Sequence, residues 1–221
     1  MTRSMTLSKP MTGNIYRIIT VALLAFVGGC TSTLAYNPEH AGRLDSIPGA
    51  QLAGRAVVLT TDIDDNYVFV GNPTSFTGGA SKISIPLGMI TRELTRSAFQ
   101  RVFRDGAVVS QDLDSISDYR VVIKTRPSNF SYAYNQLKNA GLLITPQVDI
   151  SLAVEVSKDG SDVLFSNLYS SGTKDGDSYM MSGSPGERIN KLTHEVLTEL
   201  LNRAVSDIYY LLESENTDTG N

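Results

Sequence analysis

The apolar positions of this chain fall into two kinds of repeat. Leu87, Ile90, Leu94, Ala98 and Val102 recur at helical spacing behind Pro86, with Phe99 and Phe103 widening the same face. Asp105-Gly106 then provides a stop. A longer stripe, Ile189, Leu192, Val196, Leu200, Ala204, Ile208 and Leu211, follows Ser184-Pro185-Gly186-Glu187. That tetrapeptide is an N-cap serine, a proline in the first turn and a capping-box glutamate. Between the helices lie strands. Across Pro146–Ser157, Val148, Ile150, Leu152, Val154 and Val156 alternate with polar or small residues, which predicts one buried and one solvated face. Lys158-Asp159-Gly160 supplies a hairpin turn, and Val163–Ser171 returns as the partner strand. Arg55–Thr60, Tyr67–Val70 and Tyr119–Thr125 are further strand candidates, separated by turns at Gly71-Asn72-Pro73 and Gly78-Gly79. The order predicts an α+β fold: a two-layer sandwich with a mainly antiparallel sheet of four to five strands and two amphipathic helices on one face.

The N-terminal thirty residues follow neither repeat. Residues 1–29 carry Arg3, Lys9 and Arg17 and no acid, then a 12-residue apolar run, Ile18–Gly29. That run suits the core of a secretion signal (~7–15 residues) and falls short of the ~20 residues a membrane-spanning helix needs. It ends in Val27-Gly28-Gly29-Cys30, which resembles the bacterial lipobox. The resemblance implies cleavage between Gly29 and Cys30, with a diacylglycerol and an N-acyl chain on Cys30 as the only attached groups and no other cofactor. Thr31 follows, where an aspartate would resemble an inner-membrane retention signal. The expected location is therefore the outer membrane of a Gram-negative cell, lipid-anchored and facing the periplasm. The domain plan reads as a signal peptide (1–29), an acylated N-terminus and tether (30–54), one periplasmic α+β domain (55–213) and a flexible tail (214–221).

Composition sharpens this plan. Cys30 is the only cysteine of 221 residues, which excludes an intramolecular disulfide and a cysteine-based zinc site. Removing the leader leaves 16 basic residues against 23 acidic ones, a net charge of −7. An acidic body has no footprint for nucleic acid and is not drawn electrostatically to anionic lipid.

Candidate chemistry is sparse. Asp62-Ile-Asp64-Asp65-Asn66 is the best metal candidate, yet an EF-hand starting at Asp62 requires glycine where Tyr67 stands and glutamate where Pro73 stands. A solvated turn is the simpler reading, and no metal site is assigned. Ser184 lacks the first glycine of a nucleophile elbow, and His194 is expected on the polar flank of the last helix, so no catalytic residue is assigned. Gly172–Gly176 matches no phosphate loop. Arg92, Arg96, Arg101 and Arg104 read as the solvated side of the first helix, or else as a cationic strip for anionic partners. Phe130, Tyr132 and Tyr134 alternate along an extended segment, followed by Leu142, Leu143 and Ile144. These six are either a strand continuation packed on the sheet or an apolar lip contacting lipid or a partner protein.

The chain resembles the YajG-type envelope lipoproteins in Ala56-Val-Val-Leu59 followed by Asp62, in the meander Pro146–Ser171, and in the last helix from Ile189 to Asp207-Ile208. Similar topology is seen in the lipopolysaccharide-assembly lipoprotein and in auxiliary lipoproteins of ABC-type lipid transporters. The resemblance implies a non-enzymatic role with an envelope protein partner, in envelope transport or maintenance, and assigns no functional residue. Two alternatives stand beside it: a lipid- or glycolipid-binding auxiliary component of a transport system, and an unrecognised hydrolase.

Overall fold

A computed structural model of the chain describes residues 31–78, 82–136, 143–180 and 184–218. The leader with Gly29 and Cys30, Leu142 and the last three residues of the expected tail lie outside the described residues. The chain is a mixed α+β fold with two open sheets. One has three strands, in the order β1 (Thr31–Thr33), β4 (Lys82–Ile85), β3 (Phe69–Gly71). The other has six: β5 (Ala107–Ser110), β2 (Ala56–Leu59), β6 (Val121–Asn135), β7 (Thr145–Ser157) and β8 (Val163–Ser170) in order, with β9 (Lys174–Asp175) also pairing β7. Among the described residues, three α-helices complete the fold: a single turn α1 (Asp62–Asp65), α2 (Leu87–Gln100) and α3 (Pro185–Asp218).

The large sheet has more strands than the four to five expected, and its mainly antiparallel pairing is joined by a parallel part. β2 pairs parallel with both β5 and β6, and only the β6–β7–β8 side and β9 are antiparallel. The physical reason is α2: a helix between β2 and β5 carries the chain back to its starting end, so the two strands must run the same way. Both long helices bury their stripes in one cluster with Ala56, Val121, Ile123, Leu152, Val154 and Val156. On α3, Lys191 reaches Asp177 at 3.5 Å and Glu195 at 3.5 Å.

β6 changes its inward parity midway. Before the irregularity at Ser128–Ser131, the odd residues Ile123 and Thr125 pair opposite Val156 and Val154; after it, Tyr132 and Tyr134 pair opposite Val148 and Pro146. The extra residue is absorbed by Asn129, whose φ of 52° lies in the left-handed region. Asn129→Val is therefore expected to cost about 1–2 kcal/mol, because a β-branched side chain clashes there, while Asn129→Gly leaves stability essentially unchanged. Urea midpoints of the two variants check this.

Residues 31–54, expected as a tether, are built into the fold. β1 is a strand, Leu34 is buried, and the chain from Ala35 to Ala50 lies along α3. A row of polar side chains one helical turn apart holds it. Asn190 Nδ2 donates to the Ala35 carbonyl, His194 Nε2 accepts from Asn37 N–H, and Thr198 Oγ1 accepts from Gly42 N–H. Further along, Asn202 bonds both Arg43 O and Asp45 N–H, and Tyr209 OH donates to Ala50 O. A free spacer would leave these groups of α3 in water; here Asn190, His194 and Thr198 are buried beneath the strap. At the other terminus α3 runs on to Asp218, where a frayed tail is expected from residue 214, and Glu215 meets Lys158 at 3.8 Å.

Candidate functional site

Register sorts the large sheet into two faces. Residues opposite in parity to the core, Lys124 paired with Glu155 and Arg126 paired with Ala153, point away from the helices. On this outer face lies an open groove of about 360 Å³, lined among others by Leu59, Thr61, Asp64, Lys124, Arg126, Glu155 and Ser166. Two ion pairs span it: Lys124 Nζ to Glu155 Oε1 at 3.1 Å and Arg126 Nε to Asp64 Oδ1 at 2.9 Å. Beyond it β8 forms a sheet edge on which Val163 and Leu168 are more than half exposed, with Leu168 opposite the groove residue Ala153.

The wall carrying Asp64 is the acidic cluster, which forms the capped single turn α1. Thr61 Oγ1 accepts from Asp64 N–H at 3.1 Å and donates to Asp64 Oδ2 at 2.7 Å, a reciprocal cap. Each carboxylate turns to a different neighbour. Asp62 accepts from Gln111 Nε2, Asp64 from Arg126, and Asp65 from Thr60 Oγ1 and Arg92. Among the described residues, no cluster of three potential metal ligands forms. Burial pushes the Asp64 carboxyl up, but the bonds from Arg126 and Thr61 outweigh it and hold it below the usual range. Burial likewise weakens the Arg92 charge, and the carboxylates of Glu93 and Asp65 more than restore it.

The expected arginine strip divides accordingly. Arg92 bridges Asp65 and Glu93, Arg96 meets Glu93 at 3.3 Å, and Arg101 and Arg104 are exposed beyond them. The six apolar candidates lie elsewhere. Phe130, Tyr132, Tyr134 and Ile144 are buried, so they pack in the core instead of forming an outward lip. The parity switch at Asn129 is the cause, because it turns all three inward, Phe130 and Tyr132 against Phe69 and Tyr134 against Tyr132. Tyr132 OH donates to Gly71 O at 3.0 Å, and burial pushes its phenol up to about 12. Leu143 is half-buried.

His194 is fully buried, not on a polar flank. Its Nδ1 meets Asn190 O at 2.8 Å while Nε2 accepts from Asn37 N–H, a pattern that uses both nitrogens of one neutral tautomer. Tyr36 stacks on the ring at 5.6 Å, and His40 meets it edge-on. Burial lowers its pKa to about 4. Ser184 is exposed at the start of α3, and Gly172 to Gly176 lead into and out of β9. The strap contacts were missed in the sequence, although Asn190, His194, Thr198 and Asn202 at four-residue spacing were a readable signal.

No family model matches the chain, and no curated protein matches it. Solved structures do. A homolog of the neuraminyllactose-binding hemagglutinin from Helicobacter pylori aligns over 84% of this chain and 96% of its own, with 10% identity and a TM-score of 0.38. A Xanthomonas campestris protein of the family DUF330 aligns over 85% of this chain and 99% of its own, with a TM-score of 0.52. At 12% identity, what the chain shares with that bacterial protein is its fold.

Proposed function

We propose that the chain is a periplasm-facing lipoprotein of the outer membrane, anchored through acylated Cys30, that acts without catalysis as an interaction or assembly module in envelope transport or maintenance. The reading takes the body as two layers, with helices on one sheet face and the other face left to a partner. Its main support is the groove on that outer face. Lys124, Glu155 and Arg126 are each more than a third exposed, so the groove offers charged groups that a protein partner can reach. The adjoining apolar residues Leu168 and Val163 add exposed apolar surface beside it.

A photo-crosslinking residue at Leu168 is expected to yield a discrete adduct with an envelope protein in intact cells, and one at Tyr210, equally exposed on α3, none. Reversing both groove cations (Lys124→Glu with Arg126→Glu) should lower the adduct yield about tenfold, the equivalent of 1.4 kcal/mol. Equal labelling from both positions, or an unchanged yield in the double variant, would contradict the proposal.

A further inference from the structure

Several observations meet at one end of the domain. β1 pairs with β4 in the register Thr31 opposite Lys82, and β3 runs antiparallel with Gly71 opposite Ile83. The β3–β4 loop therefore leaves the small sheet at the end where the chain arrives from residue 30. Its residues 74–77 follow β6 toward its last residues. Thr74 N–H donates to Tyr132 O, Ser75 Oγ accepts from Tyr134 N–H, and Thr77 Oγ1 lies 3.2 Å from Gln136 Oε1. Phe76, between Ser75 and Thr77, has its ring wholly in solvent. On the opposite edge of the same hairpin, Ile144 bridges Tyr179, which places Met180 there with its side chain seven-tenths exposed. The first turn of α3 belongs to the same end: a Cβ on Gly186 would lie 3.6 Å from Ser32, and the Arg188 guanidinium sits 5.7 Å over the Tyr179 ring.

We propose that this end rests on the bilayer surface, with Phe76 and Met180 dipping into the boundary between headgroups and acyl chains. The inference rests on the lipid anchor proposed above and adds an orientation to it. If residues 31–54 were free, they would let the body stand off by roughly 80 Å at full extension, at ~3.4 Å per residue. Because β1 starts at Thr31, one peptide unit of ~3.8 Å separates the acylated residue from the folded body. The exposed apolar tips are thus held at the membrane by the anchor, and a tip that would bind weakly alone is engaged at high effective concentration. The net charge of −7 excludes attraction to an anionic surface as the cause, so the occupant is the apolar boundary of a neutral bilayer. Lys82, level with Thr31, is placed to meet lipid phosphates.

The chain contains no tryptophan, so Phe76→Trp is a single fluorescent reporter. The variant is purified in its lipidated form and reconstituted in phosphatidylcholine–phosphatidylethanolamine vesicles, with and without brominated acyl chains. Emission from Phe76→Trp should fall at least twofold with the brominated lipid. A reporter at Tyr210, about 36 Å along α3 from Gly186, should be unaffected. Met180→Trp repeats the measurement in a background that keeps Phe76, should the first variant misfold. Floating protein whose Phe76 and Met180 reporters are not quenched, or are quenched no more than the Tyr210 reporter, overturns the orientation and leaves the anchor standing. Protein that does not float with the vesicles overturns the anchor and the orientation together.

Discussion

Gly88→Ala will destabilise the domain by about 3 kcal/mol, the upper end of the usual overpacking range, although alanine is the better helix former. Propensity alone favours the substitution by roughly 1 kcal/mol inside a helix. Contact decides the sign. A Cβ on Gly88 would stand 1.9 Å from the carbonyl oxygen of Asp64 and 2.8 Å from that of Asp65. Both are backbone atoms of α1, so no side chain can swing aside. Gly88 N–H also donates to Tyr67 O at 2.9 Å, which ties the first turn of α2 to the chain just beyond α1. Relief requires α1 to move, and α1 carries Asp64 to Arg126 and Asp65 to Arg92. The substitution should therefore lower the urea midpoint and, in whatever remains folded, reduce crosslinking from Leu168. A midpoint within error of the parent would show that α1 is free to shift and that the groove wall is not fixed by this contact.

β7 and α3 were legible because the apolar positions of each keep one period along the element. The alternation of Val148 to Val156 marks β7, and the stripe from Ile189 to Ile208 marks α3. The parallel half of the sheet was not legible. β5 is four residues long, Ala107-Val-Val-Ser110, and directly follows a helix stop, so neither length nor alternation announces it. Without β5, α2 cannot be recognised as a crossover connection. The three-stranded sheet was hidden for a similar reason, its strands being three or four residues each and far apart in sequence. The aromatic residues of β6 were legible as one face, but which face depended on Asn129, a backbone conformation with no pattern of its own. As for the groove, its residues come from β2, α1, β6, β7 and β8, so only the sheet order assembles them.

Lowering the pH from 7 to 4 will weaken the strap more than any other part of the fold, with His194 as the cause. In the folded chain burial holds its pKa at about 4, against 6.5 for a free histidine. Above pH 6.5 the ring is neutral in both states and the stability is fully present. As pH falls through 6.5 the unfolded chain takes up a proton that the folded chain refuses, so the unfolded state gains. The loss accumulates down to pH 4 and levels off below it. The difference of 2.5 pH units corresponds to about 3 kcal/mol, at ~1.36 kcal/mol per unit. Groups around the ring do not offset this. Tyr36 and His40 present rings, Asn190 and Asn37 present backbone groups already bonded to the two nitrogens, and the carboxylate of Glu187 reaches only His40, at 4.0 Å. Asp64 and Asp159 titrate below this window, Asp159 near 2 because the Asp162 and Ser161 backbone N–H groups bond its ionised form. Urea titrations at pH 7, 5.5 and 4.5 measure the slope, and amide exchange at Asn37 and Gly42 reports whether the strap opens before the core. His194→Gln keeps a polar group beneath the strap but removes the titration. It should start less stable at pH 7 by about 1–2 kcal/mol, the cost of an imperfectly satisfied buried donor, and lose little more on acidification. A variant that keeps the full slope of the parent between pH 6.5 and 4 would assign the acid sensitivity to another group.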